Sequence, residues 1–184
     1  MRIGFISPAA LSNRKIFSGS GAKLAESIRD ECHRREWEFE YLGPLDPTGL
    51  SRIRYRLHRG IRRRLDDNVE MPLFFGPYVR DRIRKARTKV RGRSFDALIG
   101  FFPWCAVVAP EIPTFLFRDV SYETLIQPDS EYPIFHNLPP ATEKYIYRAE
   151  LEAIQNAAAH FYSSDWAIDK FRAFAGNVPL RIFK

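Results

Sequence analysis

Arg2-Ile3-Gly4-Phe5-Ile6, then Ser18-Gly19-Ser20-Gly21, then Leu24, Ala25, Ile28 and Cys32 at helical spacing form the stretch on which the reading of the fold turns. A short apolar run, a glycine-bearing loop and an amphipathic pattern, in that order, predict strand, loop and helix. Arg34-Arg35 close the helix with charge that suits the C-terminal end of its dipole. Trp37-Glu38-Phe39-Glu40-Tyr41-Leu42 alternates and stops at Gly43-Pro44, which predicts a second strand. Strand, helix and strand within about 40 residues predict a right-handed βαβ unit and a parallel sheet. Glycines at a strand-to-helix junction let backbone approach a ligand, and the free N–H groups of the next helix favour an anion. Phosphate or a sugar hydroxyl suits Ser18 to Gly21, and so does ordinary loop chemistry with no ligand.

The remaining strands follow the same logic. Phe95-Asp96-Ala97-Leu98-Ile99-Gly100 and Ile112-Pro113-Thr114-Phe115-Leu116-Phe117 are apolar runs of the kind buried in a parallel sheet. His160-Phe161-Tyr162-Ser163 reads as a short strand, Ser163-Ser164-Asp165 as the start of a helix over Trp166 to Phe174, and Val178 to Phe183 as one more strand. Between them, Tyr147, Leu151, Ile154 and Ala158 predict the buried face of a long helix. The expected fold class is therefore α/β: an open, mostly parallel, Rossmann-like sheet with helices on both faces. At 184 residues, 45% of them hydrophobic, the chain suits one well-cored domain.

Charge is distributed unevenly. Residues 51–93 hold 15 Lys and Arg against 4 Asp and Glu, and the rest of the chain holds 14 against 18. Within this basic helical insertion Ile53, Leu57, Ile61 and Leu65 are spaced by four, as are most of Val79, Ile83, Ala86 and Val90. Each stripe is expected to pack on the domain with its arginines outward, separated by breaks at Met71-Pro72 and Gly76-Pro77. Arginine at that density fits either a solvated face or an anionic partner such as a lipid surface.

No apolar run reaches the ~18 residues of a membrane span, and the N-terminus lacks a secretion-signal layout, so the expected location is cytoplasmic. Cys32 and Cys105 lack metal-site spacing and read as buried thiols. The chain has no phosphate-binding P-loop, nucleophile elbow or zinc-spaced histidines. A dinucleotide site fails too: the glycines come some ten residues after the first strand, and the second strand ends without an acid for a ribose hydroxyl. Arg118-Asp119 lies just beyond a strand's carboxyl end, where open α/β sheets bind ligands. The two side chains equally suit pairing with each other or capping the next helix, and His136 reads as a lone polar loop residue.

Four segments, in order, resemble the retaining glycosyltransferases of family 4, which have the GT-B fold. They are the Arg2–Ile6 strand with Ser18-Gly19-Ser20-Gly21-Ala22-Lys23-Leu24-Ala25; Phe95 to Gly100; Ile112-Pro113-Thr114-Phe115 with Asp119; and Ala149-Glu150-Leu151-Glu152-Ala153-Ile154-Gln155-Asn156-Ala157 followed by Phe161-Tyr162-Ser163-Ser164-Asp165-Trp166-Ala167. The resemblance implies the acceptor-side, N-terminal half of a two-domain enzyme that transfers a sugar from a nucleotide sugar. The donor domain would be absent from this chain, which would be inactive alone. It further implies that Ser18, Gly19, Ser20 and Gly21 face the interdomain cleft, that Asp119 matches the aspartate of the family's His-Asp pair with Arg118 in the histidine's place, and that Ser163 and Ser164 border the cleft. The nucleotide sugar would be a substrate, with no cofactor or metal, and the acceptor a carbohydrate, a lipid-linked molecule or a protein. Docking on an anionic membrane surface through 51–93 would make the enzyme peripheral on the inner membrane face. The competing expectations are a nucleic-acid-binding module, against which the block has few stacking aromatics, and a stand-alone nucleotide- or sugar-phosphate-binding domain.

Overall fold

The structure, a computed structural model, describes residues 1–11, 20–65, 74–127, 138–179 and 181–184, without the side chains of Ser20 and of 62–65. Its centre is a six-stranded sheet in which every neighbouring pair is parallel. In chain order the elements are β1 (Arg2–Ile6), α1 (Ser20–Arg34), β2 (Glu38–Tyr41), α2 (Gly49–Leu65), α3 (Gly76–Val90) and β3 (Ala97–Gly100). A 3₁₀ turn (Pro103–Val107) follows, then β4 (Thr114–Arg118), α4 (Tyr122–Leu125), α5 (Pro140–Asn156), β5 (Ala159–Tyr162), α6 (Asp165–Ala175) and β6 (Ile182–Phe183).

The strand order is β2-β1-β3-β4-β5-β6. β1 is the pivot: Ile3 pairs with Phe39 of β2 on one side and with Ala97 of β3 on the other. The chain leaves β1 in one direction and returns across it to β3, so the carboxyl ends of β1 and β3 flank the point where the winding reverses. Such a reversal opens a crevice outside the strand ends, because adjacent connections diverge to opposite faces.

Both faces of the sheet are covered, which explains why the inner strands β1, β3 and β4 read as continuous apolar runs, while β2 at the edge alternates. On one face Ile3 and Ala97 pack with Cys32 and Ile28 of α1. On the other, α6 sets Phe171 against His160 and Tyr162, with ring centroids 4.8 and 5.1 Å apart. Val79, Ala86 and Val90 of α3 enter the main core with Phe5, Leu98, Phe102 and Leu116. Pro77 occupies the first turn of α3, where its missing N–H costs no hydrogen bond. Ser164 caps α6, its hydroxyl accepting from the Ala167 N–H at 3.2 Å, and Gly176 ends that helix at φ +62°.

Two helical faces differ from expectation. On α2 the stripe Ile53, Leu57 and Ile61 is turned to solvent, while Ser51 and Tyr55 face the protein. The Tyr55 ring lies 5.3 Å from Phe75 and 5.1 Å from Tyr78, so one aromatic anchor, not the aliphatic row, seats the helix. On α5 the buried face is Thr142, Ile146, Glu150, Ala153 and Ile154, one position round from the predicted one; Tyr147 and Leu151 are exposed, and Ala158 lies beyond the helix. The cause is Glu150, whose carboxylate belongs to the interior. Leu65, Met71-Pro72 and His136 fall outside the described residues or side chains.

Candidate functional site

The candidate site is the carboxyl edge of the sheet. Because every strand is parallel, the residues following β1, β3, β4 and β5 share that edge, and α1 begins on it. Ser20 and Gly21, expected in the loop, are the first two residues of α1. Their N–H groups belong to the helix's free first turn, which holds no acidic side chain to compete for them. Ser18 and Gly19 lie outside the described residues.

β4 and β5 pair with Arg118 opposite Tyr162, so Asp119 and Ser163 emerge side by side at the edge, and both are exposed. Ser164, half-buried, uses its oxygen as the α6 cap. At the β3 end the backbone runs tight against the 3₁₀ turn: a Cβ on Gly100 would stand 2.5 Å from Cys105 Sγ. Burial pushes the Cys105 thiol up to about 12, against the hydrogen bonds of neighbouring backbone, so it stays protonated.

Arg118 does not reach this edge. Strand alternation places it with Thr114 and Leu116 on the inward face under α5, and its side chain is 2% exposed. Nη1 lies 2.8 and 2.6 Å from the two oxygens of Glu150, whose side chain is fully buried. Nη2 donates to the Tyr162 hydroxyl at 2.8 Å and stands 3.2 Å from Nδ1 of His160. Glu150 Oε1 also accepts the Tyr122 N–H at 2.8 Å, tying the start of α4 to α5. The guanidinium also lies 5.4 and 5.2 Å from the centroids of the Tyr162 and Phe171 rings, which touch each other beside it. Arg118 thus neither pairs with Asp119 nor caps the next helix; Ser121 does the latter.

The electrostatics of this cluster are self-consistent. Burial disfavours the Arg118 cation, but the Glu150 carboxylate outweighs it and holds the guanidinium charged. Burial first, and the Arg118 charge second, push the His160 imidazole down to about 3, so it is neutral at pH 7. Since Arg118 can only donate, Nδ1 of His160 is the acceptor and the proton sits on Nε2. The Tyr122 and Tyr162 phenols are both held protonated, by burial first and the Glu150 charge in addition. The cluster locks α4, α5, β4 and β5 together immediately beneath the edge that presents Asp119 and Ser163.

Sequence reasoning did not find this lock. Its signal was phase: Arg118 continues the inward-facing series Thr114, Leu116, and Glu150 continues Thr142, Ile146 on the buried side of α5. Among the described residues no group of three His, Cys, Asp or Glu side chains is placed to hold a metal ion. Comparison with known protein families, with curated proteins and with solved structures finds no match.

Proposed function

We propose that this chain is the acceptor-side domain of a nucleotide-sugar-dependent glycosyltransferase of the retaining, family-4 type that its motifs resemble. The observation that supports the reading is the coincidence at one sheet edge of the winding reversal at β1 and β3, the acid-free N-terminus of α1, and the exposed Asp119 and Ser163. Free N–H groups at a helix start suit the phosphates of a nucleotide sugar, and stabilising a leaving diphosphate in this way needs no metal. Asp119 would accept a hydroxyl of the acceptor, and Ser163 would donate to it. Arg118 enters this reading as a positioning residue, holding the β4 end in place through Glu150 instead of touching a substrate. The donor would be held mainly by a second domain, and an anionic membrane surface contacted by 51–93 belongs to the same reading.

The test is release of nucleoside diphosphate from a panel of UDP-, GDP- and ADP-sugars by the protein carrying both domains, with this chain in parallel. Turnover by the two-domain protein, lost on Asp119→Ala and absent from the 184-residue chain, is the expected result. Absence of turnover with every donor, or turnover unaffected by Asp119→Ala, would refute the reading.

A further inference from the structure

Among the described residues, four of the exposed large hydrophobic side chains lie along one face of α2. Leu50, Ile53, Leu57 and Ile61 are 60, 55, 62 and 58% exposed. Their spacing of three, four and four residues aligns them in one row about 16 Å long. Contiguous apolar surface of this kind marks an interaction site rather than ordinary surface scatter.

The rest of the helix says what covers it. α2 contains seven arginines and no acid. At 3.6 residues per turn Arg54 borders the apolar row on one side and Arg56 on the other, with Arg52 and Arg59 further round. The protein body touches the helix from a third direction. Tyr55 packs on Phe75 and Tyr78. Asp81 of α3 accepts the N–H and hydroxyl of Thr48 at 2.9 and 2.7 Å, and the Thr48 hydroxyl in turn accepts the Ser51 N–H at 3.3 Å. α2 is thus fastened at its first two turns while its aliphatic row is presented outward.

We propose that α2 lies in the plane of an anionic bilayer, with Leu50, Ile53, Leu57 and Ile61 at the acyl boundary and the flanking arginines among the headgroups. An aliphatic row flanked by arginine on a helix fastened to a folded body is what an interfacial helix requires: apolar area supplies insertion, and each cation adds attraction to anionic lipid. Other occupants match less of this surface. A second copy docked by this face would set seven arginines against seven, with no acid on either helix to offset them. Nucleic-acid phosphate would engage the arginines and leave the aliphatic row in water. The inference rests on the membrane component of the proposed function and not on sugar transfer, so the outcome below is independent of the turnover assay.

The experiment is flotation of this chain with vesicles of phosphatidylglycerol and phosphatidylcholine, compared with phosphatidylcholine alone, at low and high salt. Binding is expected on the anionic vesicles, weakened but not abolished by salt, since only the arginine part is screened. Ile53→Asp with Leu57→Asp should weaken it at least tenfold without shifting the thermal midpoint, because neither side chain is buried. Leu151→Asp, on the exposed side of α5, should leave binding unchanged. A polarity-sensitive label on Leu57→Cys should shift to the blue with vesicles. Failure to bind anionic vesicles would overturn the proposal. So would binding that survives the α2 double variant, or that is abolished outright by salt. A dimer in sedimentation velocity that Leu57→Asp dissociates would also overturn it, by showing that the row is covered by a second copy.

Discussion

Glu150→Ala is the perturbation that separates a structural Arg118 from a substrate-binding one. In the native protein the Arg118 charge is buried, and both Glu150 oxygens lie within hydrogen-bond distance of Nη1. Removing the carboxylate leaves a guanidinium with no counter-charge in the interior and takes away the acceptor of the Tyr122 N–H. Breaking a buried pair from one side costs about 3–5 kcal/mol, whereas replacing both partners with apolar side chains of similar volume is often near neutral. For a domain of this size 1 kcal/mol moves the thermal midpoint by roughly 2–4 °C, so the expected fall is roughly 6–20 °C. The assay is chemical and thermal denaturation of the wild type, Glu150→Ala, Arg118→Met and the double variant Arg118→Met/Glu150→Leu. The double variant should recover most of the loss, a strongly non-additive cycle. A loss below about 1 kcal/mol for Glu150→Ala, or additive costs in the double variant, would refute the lock.

Three further outcomes follow from the same geometry. His160 is held near 3 in the fold against an ordinary 6.5, so the unfolded chain binds the extra proton; stability from this group is full above about pH 6.5 and falls toward pH 3. The expected loss is about 2 kcal/mol between pH 7 and 5, absent from His160→Asn, and urea midpoints at both pH values check it. Asp81 loses its contribution in the same direction but at lower pH: burial opposes its ionisation, yet hydrogen bonds from Ser51 and Thr48 and the Arg84 charge hold it at about 2 against 3.8. Its contribution is full above about pH 4 and lost as pH falls through 2; Asp81→Asn should speed amide exchange across 49–61, and unchanged exchange would count against the anchoring. Gly100→Ala must push Cys105 away from its position against the β3 end and should cost about 1–3 kcal/mol in denaturant midpoint, where a neutral result would show that the 3₁₀ turn yields.

The strands and the outward or inward faces of α1 and α3 were legible because apolar pattern and burial coincide there. Cys32 and Ala25, then Val79, Ala86 and Val90, are all buried as the spacing required. Two helices were misread for opposite reasons. In α5 the buried face carries a carboxylate, and a rule that sends charge to solvent rotates the helix by one residue; only the pairing of Glu150 with Arg118, 32 residues earlier, corrects it. In α2 the aliphatic row is real but faces solvent instead of the domain, so periodicity found the row and misplaced its direction. At the edge, Asp119, Ser163 and Ser164 were readable as residues after strands, since parallel topology alone brings such positions together. The inward turn of Arg118 depended on a partner that no local spacing reveals. Ser20 and Gly21 moved from loop to helix because α1 starts before its first apolar residue.

The central claim is that ligand is met at the carboxyl edge of the sheet. An amide-detected NMR titration of this chain with millimolar UDP-glucose and GDP-mannose tests it most directly. The account predicts that one of the two perturbs the amides of Ser20, Gly21, Asp119 and Ser163 together, leaving those of Arg2, Asp96 and Pro113's neighbour Thr114 at the opposite edge unmoved. Shifts confined to that opposite edge or to α2 would contradict it.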